Sequence, residues 1–120
     1  MEINYKAERH QAEMYVHIMT KFRQIDKMLN QKKTHAQTKK DGYHVSPTTP
    51  SFWNQIDKLL TSIKKHENEA PTVTHAKIAS MTTDILTRKQ NLMEELAFVG
   101  LLTTGSKHYG PKLPEFTSVS

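Results

Sequence analysis

Placed at 100° per residue, Tyr15, Ile18, Phe22, Ile25 and Leu29 fall in one narrow arc, spaced 3, 4, 3 and 4 residues apart. That spacing is a coiled-coil seam and predicts a helix from Asn4 to about Asn30. No glycine or proline precedes Gly42, so nothing interrupts a rod of about 40 Å. Its N-terminal half carries a second apolar stripe, Tyr5, Ala12, Val16 and Met19, about 100° from the first. Lys6, His10, Glu13, His17 and Lys21 are left on a restricted polar face. One stripe serves the chain's own packing and the other a second chain. The candidate partner or dimer interface is therefore Tyr5, Ala12, Tyr15, Val16, Ile18, Met19 and Phe22.

The pattern then fails. Residues 31–50 hold few apolar side chains and close on Ser46-Pro47-Thr48-Thr49-Pro50, which predicts a flexible basic linker. A second helix is expected over 52–66, capped by Thr49 or Ser51, with Phe52, Trp53, Ile56, Leu59, Leu60 and Ile63 in one arc of about 120°. The residue before Pro71 is pushed out of helical geometry, which ends that segment. A third helix is expected over 72–99, closed by Gly100. Its buried arc reads Ile78, Met81, Ile85, Leu86, Leu92, Met93, Leu96 and Val99. Lys89 falls inside that arc. A lysine there ordinarily lays its stem along the seam and frees its amine, and the sharper alternative is a register device. Gly105, Gly110, Pro111 and Pro114 make 101–120 an extended or disordered tail.

Strand signals are nearly absent, since no alternating run exceeds four residues. The expectation is an all-α fold: a three-helix bundle or helical hairpin over a single domain, 1–100, that dimerises. Composition agrees with a thin core. The chain has 120 residues, 36% of them apolar and 24% charged. Self-association would compensate for so little apolar surface. No cysteine is present, which excludes disulfides, thiol nucleophiles and zinc sites that need a thiolate. The charged N-terminus lacks a signal-peptide core, and no run reaches the roughly 18 apolar residues of a membrane span. A cytoplasmic protein is the expectation. The segment from Phe52 to Lys65 has the make-up of an interfacial membrane helix, but packing against its own chain explains the same pattern.

Catalytic signatures are missing. No Gly-x-Ser-x-Gly, Walker or Rossmann glycine pattern occurs, and no His-Glu-x-x-His. Adjacent Glu94 and Glu95 point about 100° apart, a poor acid–base pair. No cofactor is implied and no enzyme is expected. The seven histidines are the one compositional excess. His10, Glu13 and His17 share an arc on the first helix, but two turns separate the imidazoles, so a solvated face is favoured over a metal or pH-sensing site.

Charge is more informative. Residues 27–66 hold Lys27, Lys32, Lys33, Lys39, Lys40, Lys58, Lys64 and Lys65 against Asp41 and Asp57, a local +6 that exceeds the whole chain's +5. Lysines that neutralise phosphates release counterions, so these eight are the candidate nucleic-acid contacts, with Tyr43, His44 and Trp53 near enough to stack on bases. No arginine lies among them for guanine readout, and no known nucleic-acid module is recognisable. The leading expectation is a small non-enzymatic helical protein–protein interaction protein, an adaptor, regulator or inhibitor, acting as a homodimer. The alternative is a nucleic-acid-binding accessory protein using the 27–66 lysines.

Overall fold

A computed structural model of the chain describes residues 5–102, which are all-helical, with no strand. Helix α1 spans Tyr5–Lys40, α2 spans Pro50–Glu67 and α3 spans His75–Phe98, with a single 3-10 turn, Thr72–Thr74, leading into α3. The expected tail from 103 onward, and Asn4, lie outside the described residues.

The first helix is longer than the sequence pattern predicts: it continues through 31–40 and ends at Lys40, not Asn30. The reason lies in small increments of burial. Ala36, seven residues beyond Leu29 on the same seam, is 0% exposed, His35 and Thr38 are half-buried, and the Lys32 amine sits 5.3 Å from the centre of the Phe52 ring. The end is then fixed by Gly42, whose φ of +95° suits glycine. Tyr43 N–H donates to the Thr38 carbonyl and Gly42 N–H to that of Lys39, the paired bonds of a Schellman motif. The expected linker shrinks to 41–49.

The same closure recurs after α3. Gly100, at φ +79°, lets Leu101 N–H reach the Leu96 carbonyl at 2.8 Å while its own N–H bonds Ala97. Leu101 then accepts from Thr48 N–H at 2.6 Å, and Leu101 and Leu102 are both buried. The packed body thus runs two residues past the expected boundary at 100 and straps the 41–49 loop.

Chain direction follows from cross-contacts. His10 meets Glu69 beyond the end of α2, and Lys32 meets Phe52 at its start, so α2 runs antiparallel to α1. Lys77 lies over Tyr15 and Lys40 pairs with Glu95, so α3 runs parallel to α1. Between them Ile18, Phe22, Ile25, Leu29, Trp53, Ile56, Ile63, Ile78, Ile85 and Leu96 form the core. Lys89 keeps its stem in the arc, with a side chain 19% exposed, but its amine pairs with Asp57 of α2 at 2.8 Å instead of running free to water. Leu86 departs from expectation. It is 49% exposed because it lies past the edge of the arc that α3 turns toward α1 and α2.

At 1.5 Å per residue the 36-residue α1 is about 54 Å long, against about 27 Å for α2 and 36 Å for α3. The molecule is accordingly an elongated body of 65 × 28 × 20 Å with a radius of gyration of 17.9 Å, well above the roughly 13 Å of a compact chain this size.

Thr34 is exposed on the helical stretch that the sequence pattern does not predict. Proline there removes a main-chain donor and clashes with the preceding turn without touching the core. Thr34→Pro should lower unfolding free energy by about 3 kcal/mol in denaturant titration. A near-neutral result would place 31–40 outside the helix.

Candidate interaction surface

Because α1 outreaches α2 and α3, these two helices leave its first turns largely uncovered. Every residue from Tyr5 to Glu13 is exposed, and Met14 is the first to be half-buried. The seven residues expected at an interface separate into two groups. Ile18 and Phe22 are committed to the chain's own core, since their arc is the one that faces α2 and α3, and they present nothing to a partner. Tyr15 and Met19 are half-buried at the core's margin. Tyr5 (69% exposed), Ala12 and Val16 (59%) face solvent. The second stripe thus remains open at its N-terminal end and is partly covered where α3 begins.

A polar clamp marks where the projection starts. Glu69, in the turn after α2, accepts from His10 Nε2 at 2.9 Å and from His66 Nδ1 at 3.1 Å. The His66 ring also meets that of His17 edge-on, with centroids 5.5 Å apart. Two of the three groups on the expected His10, Glu13 and His17 arc therefore turn toward the α2–α3 corner. Glu13 has no partner there, and no group of three His, Asp or Glu side chains among the described residues is placed to hold a metal. Nothing in the sequence singles out Glu69, because only the turn before Pro71 brings it back to α1. The two imidazole hydrogen bonds, His10 first, hold its carboxyl below the ordinary glutamate range.

The lysines spread over two helices. Lys32 is engaged with Phe52, and Lys40 pairs with Glu95 at 2.8 Å. Lys27, Lys33, Lys39, Lys58, Lys64 and Lys65 are exposed and make no ion pair among the described residues. Lys58 and Lys65 lie two turns apart on the outer face of α2, opposite its buried Trp53, Ile56 and Ile63. Trp53 is wholly buried and so is not a stacking platform, whereas Tyr43 and His44 are exposed in the 41–49 loop.

A cleft of about 460 Å³ opens between α1 and α3, floored by Phe22, Met81 and Ile85. On its wall Arg88 bonds Asp26 at 2.8 Å and Asn30 at 3.2 Å, with Asp84 at 3.8 Å, whereas Arg23 donates to the Thr20 hydroxyl at 3.2 Å and makes no ion pair among the described residues. The partly covered end of the second stripe, at Val16 and the half-buried Met19, leads into this cleft one turn before Phe22 and Arg23.

No helix among the described residues is long and apolar enough to cross a membrane. No protein-family model, curated protein or solved structure matches the chain.

A carboxyl held below its ordinary value in the folded state favours folding above that value, and the contribution fades as pH falls through the lowered one. Glu69→Gln should therefore melt below the wild-type chain at about pH 5.5, and the two curves should converge once pH drops well under the ordinary glutamate value of about 4. A difference that persists undiminished in acid would mean that Glu69 acts through something other than its charge.

Proposed function

We propose that the chain is a non-enzymatic helical protein-interaction protein, an adaptor, regulator or inhibitor, that works as a self-associated pair joined through the projecting end of α1. The observation that carries this reading is the exposure of Tyr5, Ala12 and Val16 along one side of a helix that extends beyond α2 and α3. Burying a valine-sized apolar side chain contributes about 1.5–3 kcal/mol, so leaving such side chains in water at a helix end is a cost that association removes. A charged rod end meant only for solvent has no use for an apolar stripe at heptad spacing.

The unpaired lysines support a second reading, contact with a nucleic-acid backbone. Lys33 and Lys39 are held on the ordered end of α1, and Lys58 and Lys65 on one face of α2. Such binding would weaken steeply with salt, and neutralising these four together should abolish it and flatten the salt dependence, with a slope of about −0.9 lost per phosphate contact. Binding unchanged in that variant would reject this reading.

Self-association is tested by light scattering across a concentration series. The mass should rise from 13.8 kDa toward twice that value. Val16→Asp, at an exposed position outside the core cluster, should return the chain to a folded monomer whose melting temperature no longer rises with protein concentration. A wild-type chain that stays monomeric at the highest concentration would contradict the reading.

A further inference from the structure

The projecting stripe is self-complementary in one arrangement. Tyr5, Ala12, Val16 and Met19 lie within about 60° of each other on α1. Ala12 is the smallest of them and sits midway, seven residues from Tyr5 and seven from Met19. We propose that two copies of this chain pair antiparallel along α1, with the twofold axis at Ala12, so that Tyr5 of each copy rests on Met19 of the other. The proposal rests on the self-association reading above and supplies its geometry.

Four features favour a second copy in this register. Alanine at the axis allows the two helices to approach to about 9 Å. Each end of the stripe then joins an aromatic ring to a thioether, a favourable contact, and seats Tyr5 at the head of the α1–α3 cleft of the other copy, beside the half-buried Met19.

Charge agrees on both flanks. A twofold axis between antiparallel helices sets like flank against like flank. On the flank away from α3, Arg9 and Glu13 bracket Ala12, and the axis brings each Arg9 near Glu13 of the second copy. Neither makes an ion pair among the described residues of its own chain. On the flank facing α3, Glu8 comes level with Tyr15 and with Lys77, whose amine sits 5.9 Å from the centre of the Tyr15 ring.

The opposite polarity fails further along the rod. A parallel pair would align Arg23 with Arg23 and Lys27 with Lys27, like charges on the continuation of the same stripe. The antiparallel register carries both beyond the Tyr5 end of the other helix.

The absence of cysteine makes the register directly readable. At this separation the facing Cα atoms at position 12 are roughly 4–5 Å apart, within disulfide reach. On mild oxidation Ala12→Cys should yield a covalent dimer, and Thr61→Cys, on the outer face of α2, should not. A mixture of Tyr5→Cys and Met19→Cys should link across the pair. Tyr5→Cys alone should not link to itself, because the two positions lie about 21 Å apart along the axis. If light scattering reports a dimer yet Tyr5→Cys links to itself, the pairing is parallel; if a dimer forms and none of these sites links, the contact lies elsewhere. Either result overturns the register and leaves self-association standing. A strict monomer overturns both.

Discussion

The seam of α1 is the surface on which the rest of this molecule depends. It supplies most of the packing for both other helices, which touch each other far less. Ile18, Phe22, Ile25, Leu29 and Ala36 run along one side of a single 36-residue helix. Against them α2 turns Trp53, Ile56 and Ile63, and α3 turns Ile78, Ile85, Leu92 and Leu96. Each buried aliphatic side chain contributes about 1.5–3 kcal/mol, set against an ordering cost of similar total size, so a chain with 36% apolar residues has little surplus. Local devices decide what remains: glycine closures at Gly42 and Gly100, the Leu101 strap onto Thr48, and the ion pairs of Lys89 and Arg88.

One geometric consequence of that seam is a helix longer than the body it organises. A rod of about 54 Å cannot be covered by partners of about 27 and 36 Å in antiparallel succession. The excess appears at the N-terminus, beyond the clamp formed by His10 and Glu69. Exposed ion pairs of this kind contribute little to stability. Their role here is positional: they hold α1 against the α2–α3 corner and leave Tyr5 to Arg9 projecting from it.

The three helices were legible in the spacing of apolar residues because that spacing records burial directly. Ile18, Phe22, Ile25 and Leu29 announce their face, as do Trp53, Ile56 and Ile63. The stretch from 31 to 40 was not legible, because it is held by one buried alanine, a lysine stem over Phe52 and a glycine closure, none of which produces a periodic apolar signal. Leu86 shows the converse error: a position just past the edge of the buried arc is read as part of it. Of the proposed contact surface, Tyr5, Ala12 and Val16 could be read from the first stretch of chain. That Ile18 and Phe22 belong to the chain's own core and not to the contact surface could not be read from sequence, since the spacing that marks their face as buried does not say whether α2 and α3 or a second chain buries it. Glu69 and Lys77 were invisible, because turns and not periodicity bring them to α1.

The central claim is that the projecting end of α1 finds its missing partner in a second copy. A helix end left exposed to water frays, and its amides exchange readily with solvent. Amide hydrogen exchange followed as a function of protein concentration therefore tests the claim residue by residue. Exchange across Lys6–Val16 should slow as concentration rises, while amides in the middle of α2 stay unchanged. Exchange at Lys6–Val16 that is the same at every concentration would contradict it.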